Sequence, residues 1–143
     1  MKVNIKKLNQ NAKIPTYAKP GDAGMDLTAV TCYRDEYDNY VYGTGLALEI
    51  PEGYVGLVFP RSSNRKTSSY MTNHVGVIDS GYRGEIMVTF KSRDYIMTDM
   101  PPYKLGDRIA QIIIVPYPHI EFNEVEELSE TERGKGGHGS TGK

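Results

Sequence analysis

Apolar residues in this chain fall in short runs cut by Gly, Pro, Asn and Asp, the punctuation of strands and turns. Seven runs read as strands, at residues 3–8, 26–32, 45–50, 54–59, 76–78, 85–91 and 108–115. In EIMVTFK the alternation is clean: Ile86, Val88 and Phe90 face one way, Met87, Thr89 and Lys91 the other. RIAQIIIVPY is apolar at nearly every position, which predicts a strand covered on both faces, by the sandwich interior or by another subunit. No segment keeps a helical period; Pro60 and the following RSSNRKTSS predict one short helical turn. CYRDEYDNYVYGTG and RKTSSYMTN read as loops around the sheets. The predicted class is all-β, a sandwich or closed barrel.

Composition narrows this picture. At 143 residues the chain is the size of one domain with a sizeable core. After Tyr117 the sequence turns charged and then glycine-rich, so the expected division is a β-domain over 1–117 and a C-terminal arm over 118–143, flexible until something orders it. A formal net charge of -1 gives no bulk attraction to nucleic acid or anionic lipid, so any anion is bound locally. MKVNIKKLNQNAKIP lacks an apolar signal core and no run is long enough to span a bilayer; a soluble, cytoplasmic protein without membrane contact is expected. One cysteine and three histidines offer no zinc-ligand spacing.

Five stretches are richer in Gly, Asp, Arg and Ser than a plain sandwich requires: GDAGMDL (21–27), PRSS (60–63), GVIDSGYRGEI (76–86), GDRIAQ (106–111) and RGKGGHGSTG (133–142). Singly, each has a plainer reading. Asp22 and Asp26 could stabilise turns, Arg61 and Arg108 could form surface ion pairs, and Gly81 to Gly84 could be an ordinary turn. The last stretch has most of a phosphate-cradling P-loop but none of the strand, magnesium-binding hydroxyl and helix that a P-loop needs around it.

Together and in this order, on an all-β chain of this length, the five stretches closely resemble the trimeric deoxyuridine triphosphatases, from about Ile14 onward. The resemblance implies a jelly-roll-like fold and a homotrimer with three active sites shared between subunits. It implies hydrolysis of dUTP to dUMP and pyrophosphate, with each C-terminal arm closing a site as a phosphate-binding lid.

The residue types suit those roles. Splitting the α,β-phosphoanhydride needs a water aimed in line at phosphorus, a group to polarise it, and cations to disperse charge on the leaving pyrophosphate. By the resemblance, Asp79 activates the water, a role open to a carboxylate within reach of it. Tyr82 matches a ring beneath the deoxyribose that leaves no room for a 2′-hydroxyl; the plainer reading is a core aromatic. A hairpin from Asn73 to Arg83 is expected to form the uracil pocket, with Asn73 and main-chain groups of Gly76, Val77 and Ile78 matched to O4, N3–H and O2. Cytosine would leave a buried mismatch there, which can discriminate by roughly 10⁴. His74 is expected to face outward. Ser62 and Ser63 of PRSS and Gln111 of GDRIAQ match phosphate contacts; Arg61 matches an arginine serving either phosphate or inter-subunit pairing; Asp26 matches a carboxylate that orients the site and its metal-bound waters. Magnesium is the expected cofactor, held by phosphates and water rather than by protein ligands.

In the tail Arg133, Ser140 and Thr141 match lid contacts to the γ-phosphate, with Gly139 among the glycines that let the backbone approach. His138 is a departure, since most relatives have phenylalanine stacked over uracil. An imidazole also stacks but offers less apolar area and gains charge near about pH 6 to 7, predicting a looser, pH-sensitive lid. Gly81 stands where many relatives are acidic, and the role of Arg83 is open. Two alternatives are weighed: a dCTP deaminase on the same fold, disfavoured by the hydrolase form of GVIDSGYRGEI, and a dUTPase-like regulator whose lid grips a protein partner.

Overall fold

The structure is a computed structural model and describes residues 1–93 and 100–137. Among the described residues ten strands run in chain order as β1 (Asn4–Lys7), β2 (Met25–Thr28), β3 (Thr31–Arg34), β4 (Tyr40–Gly43), β5 (Leu46–Glu49), β6 (Tyr54–Pro60), β7 (Ser69–Met71), β8 (Gly76–Ile78), β9 (Met87–Ser92) and β10 (Arg108–Pro116). Every strand pairing is antiparallel. Two four-stranded sheets, β2-β10-β6-β8 and β3-β4-β9-β7, are joined by a two-stranded β1-β5 ribbon in a jelly-roll-like fold. One 3-10 turn, Ser62–Lys66, stands where Pro60 predicts a helical turn. Among the described residues no helix is long and apolar enough to cross a membrane.

The sheets enclose one apolar core. Leu27, Ile109 and Ile112 meet Tyr42, Val88 and Phe90, each at most 2% exposed. The period-two pattern of EIMVTFK holds: Ile86, Val88 and Phe90 are buried while Met87 is exposed. Tyr42 and Phe90 pack edge-on with ring centroids 6.0 Å apart, and Tyr103 packs 5.1 Å from Phe90.

Four expectations are corrected. Residues 26–32 form two strands, because the chain leaves β10 after Thr28 and crosses at Ala29 and Val30 to pair with β4 in the other sheet. The loop expected over 32–45 contains β4, whose Tyr40, Val41 and Tyr42 are all buried because it lies inside its sheet between β3 and β9. A turn closed by Asp35 leads into it, with its carboxylate accepting from the backbone N–H groups of Tyr37 and Asn39 and from the Asn39 amide. RKTSSYMTN contains β7. The expected hairpin over 73–83 is a single strand, β8, whose ladder partner is β6, while β7 pairs with β9 in the opposite sheet.

β10 is paired on both edges, by β2 and β6, and within one chain it is covered on one face. Ile109, Ala110 and Ile112 are buried, whereas Gln111, Ile113 and Val115 are half-buried. Residues 118–137 carry no strand or helix and are almost wholly exposed.

Candidate active site

Charged groups gather where β2, β10 and the end of β6 meet. Register sets this meeting: Gln111 stands opposite Asp26 on β2 and Phe59 on β6. A β-bulge at Ile109 adds the next charge. Arg108 pairs with Thr28 and Ala110 with Leu27, so Ile109 is an extra residue on β10. Simple alternation would turn Arg108 and Gln111 to opposite faces; the extra residue restores them to one. Both line a cleft of about 420 Å³ with Asp22, Gly24, Asp26 and Arg61.

Asp26 is the hub of this cleft. Its Oδ1 accepts from Arg61 Nε at 2.6 Å, and its Oδ2 accepts from Arg61 Nη2 at 3.3 Å and from Arg108 Nη1 at 3.0 Å. Arg61 also donates through Nη1 to Ser63 Oγ at 3.2 Å and to the Arg108 carbonyl at 3.4 Å. One carboxylate thus orients two guanidiniums at the cleft. Asp22, by contrast, closes a turn by accepting from the Lys19 N–H at 2.8 Å. Gln111 Nε2 donates to the Pro60 carbonyl at 3.2 Å. A Cβ at residue 24 would lie 3.3 Å from Gln111 Cδ and closer still to Oε1, so Gly24 makes room for that side chain. Ser62, exposed, opens the 3-10 turn beside Arg61. Asn64 holds this turn from within, donating to the Ser69 carbonyl and accepting from Tyr103 Oη at 2.9 Å.

A second cleft, of about 290 Å³, lies past the other end of β8. Val77, Ile78, Asp79, Tyr82, Glu85, Met87 and Thr89 line it. Asp79 is exposed and starts a turn in which the Tyr82 N–H donates to the Asp79 carbonyl at 3.1 Å. Tyr82 is 41% exposed, so it is not a core aromatic. Its hydroxyl donates to the Glu85 carbonyl at 3.0 Å, which folds the ring back over Gly84. Arg83 braces the same turn, donating through Nη1 to the Ser80 carbonyl at 2.6 Å and the Tyr82 carbonyl at 3.0 Å. Among the described residues β8 is an edge strand, paired only with β6, so main-chain groups of 76–78 on its other edge face outward.

The two clefts are separate in one chain. Ile78 pairs with Gly56, placing Asp79 level with the start of β6, while Arg61 follows its last residue. Six residues of strand put about 20 Å between those levels. Asn73 and His74, both exposed, lie toward the opposite end of β8 from Asp79. Arg133 lies in the exposed arm, its Nε donating to the Gly136 carbonyl. His138, Gly139, Ser140 and Thr141 lie outside the described residues. Arg108 forms the surface ion pair of its plainer reading, with Asp26, while its place in the cleft, three residues before Gln111 on the same strand, depends on the bulge. Among the described residues no three His, Cys, Asp or Glu side chains cluster as a metal cage.

Known proteins resemble this chain along almost its whole length. A family model described as dUTPase matches residues 10–142. A deoxyuridine 5'-triphosphate nucleotidohydrolase from Nautilia profundicola is 45% identical, covering 100% of both chains. The dUTPase of Staphylococcus bacteriophage 80alpha, solved with dUPNHPP, superposes with a TM-score of 0.81 at 30% identity over 99% of this chain and 98% of that one. A mutant dUTPase of phage phi11 of S. aureus, described for the coordination of a structural Mg(II) ion, gives a TM-score of 0.72 at 29% identity, covering 89% of this chain and 98% of that one.

Proposed function

This chain belongs to the dUTPase family, and we propose that it hydrolyses dUTP to dUMP and pyrophosphate with a water activated by Asp79. Water oxygen attacks the α-phosphorus, the bond to the α,β-bridging oxygen breaks, and pyrophosphate leaves with that oxygen. The water's proton passes to the Asp79 carboxylate and then to solvent.

The other proposed roles are those the resemblance implies, and the geometry of the described residues supports several of them. The outer edge of β8 offers main-chain donors and acceptors to the uracil edge, with Val77 62% exposed beside it. The Tyr82 ring forms the floor on which deoxyribose rests, and a 2′-hydroxyl on that sugar would run into the ring. Ser62, Ser63 and Gln111, backed by the Asp26-held Arg61 and Arg108, receive the phosphates. Asp26 is engaged by two arginines, so the donor set suits a magnesium ion held by the phosphates and by water. Magnesium bound there supplies charge neutralisation on the triphosphate. Arg133, His138, Gly139, Ser140 and Thr141 serve as the lid.

The observation that carries this reading is the separation of the clefts. The α-phosphorus is one ester link from the sugar, so Asp79 and the phosphate groups must converge on one molecule. A gap of about 20 Å within the chain supports a site assembled from two copies, as in the homotrimer with shared sites that the resemblance implies. Pyrophosphate release from dUTP, dCTP, dTTP and UTP with magnesium tests the chemistry: release from dUTP alone, abolished in Asp79→Asn, is expected. Ammonia from dCTP would instead identify a deaminase. Mixing inactive Asp79→Asn and Arg61→Ala chains tests the sharing. Activity recovered in mixed oligomers is expected, and its absence counts against a shared site.

A second, regulatory reading has one observation behind it. The 80alpha relative is described as controlling transfer of virulence genes by a G protein-like mechanism. Capture of a protein partner by this chain only in the presence of a non-hydrolysable dUTP analogue would support it.

A further inference from the structure

We propose that Gly84 is a specificity-positioning residue, whose missing side chain lets the Tyr82 ring lie flat on the main chain and so sets the height of the sugar floor. The inference rests on the reading of Tyr82 as that floor. Gly84 is not among the glycines at positive φ, so its backbone is one that any residue could adopt. The constraint is steric. A Cβ at residue 84 would lie 2.5 Å from Tyr82 Cζ and 2.9 Å from Cε2, and closer still to the hydroxyl.

What surrounds the ring decides which group must yield. Beneath it the main chain is fixed: the Ile86 N–H donates to the Leu46 carbonyl at 2.8 Å, Thr44 donates to the Ile86 carbonyl through both N–H and hydroxyl, and the Gly45 N–H donates to Glu85 Oε1 at 2.6 Å. Glu85 is thereby tied to the turn between β4 and β5, and its carbonyl receives the Tyr82 hydroxyl. Above the ring is the open cleft. An added methyl therefore pushes the ring outward, which costs the fold little and raises the floor. dUTP then loses its fit, while UTP, already rejected, has little to lose.

The test measures kcat/KM for dUTP and UTP, with magnesium, on wild type, Gly84→Ala, Tyr82→Ala and the double variant, with thermal melts at one protomer concentration. Gly84→Ala is expected to melt close to wild type. Its dUTP-to-UTP ratio should fall by roughly 10- to 100-fold, through loss of activity on dUTP. Tyr82→Ala should lower the ratio through a gain on UTP, and adding Gly84→Ala to it should change the ratio by less than about twofold, since the clashing ring is gone. A wild-type ratio in Gly84→Ala beside a collapsed one in Tyr82→Ala overturns the inference and leaves the sugar floor standing. An unchanged ratio in Tyr82→Ala overturns the floor itself. Should Gly84→Ala fail to fold, recovery in the double variant supports the steric argument by naming the Tyr82 ring as the clashing group, and failure there overturns it.

Discussion

Replacing Asp26 by Asn separates the two things that carboxylate does: it orients the arginines and it cancels part of their charge. Its bonds to Arg61, at 2.6 and 3.3 Å, join side chains only 27% and 23% exposed. A hydrogen bond between charged partners contributes about 1.5–3 kcal/mol when shielded, and this pair sits at the low end of that range. Arg108, 59% exposed, adds about 0.5 kcal/mol or less after solvent screening. The loss is therefore about 2 kcal/mol, or a fall in Tm of about 6–8 °C for a chain of this size. Meanwhile two guanidiniums remain with no carboxylate between them, so attraction for a triphosphate does not weaken. The expected signature is a lower Tm, a KM for dUTP no higher than wild type, and a kcat reduced by about tenfold or more because the arginines are no longer held in place. Melts and steady-state kinetics at matched protomer concentration read all three quantities. A raised KM with unchanged kcat would refute the positioning role, and an unchanged Tm would refute the energetic one.

Other substitutions probe the frame around the site. In Gly56→Ala the new methyl would sit 2.8 Å from Ile50 Cδ1 and 3.2 Å from Ile78 Cβ, and overpacking of that kind costs about 1–3 kcal/mol; because Ile78 leads into Asp79, kcat should fall as well, and a wild-type melt would show that the core yields there. Phe90→Ala empties a fully buried ring site and should cost about 3–5 kcal/mol in urea titration; a loss below about 1 kcal/mol would contradict its central place. Burial raises the pKa of the Tyr42 and Tyr103 phenols. Their stabilising effect is full below the unfolded value of about 10 and is lost as pH rises through the higher folded values. Urea midpoints should therefore fall above about pH 10 and less so in Tyr42→Phe; a flat profile to pH 12 would contradict this. His138→Phe should lower KM for dUTP and flatten its change between about pH 5.5 and 7.5; persistence of the wild-type profile would place the titrating group elsewhere.

The sequence by itself determined the class of fold, the strands whose apolar positions follow one clear pattern, and the family. EIMVTFK keeps its alternation because one face of β9 meets the core and the other does not. YVYG was illegible for the opposite reason: Tyr40, Val41 and Tyr42 are all buried, so no alternation marks β4, and the polar run before it reads as loop. The strand expected over 26–32 was broken by a choice between two sheets, which local propensity does not encode. The chemical residues were named by type and order, but their grouping was not. Asp26, Arg61, Arg108 and Gln111 come from three separate stretches and meet only through register. Arg108 reaches them because one extra residue at Ile109 resets which face it occupies. Only the tertiary structure decided that Asp79 and the Asp26–Arg61–Arg108 cleft lie at opposite ends of β6, since that distance is fixed by strand pairing between residues far apart in sequence, and it is this separation that supports the proposed sharing of a site between chains.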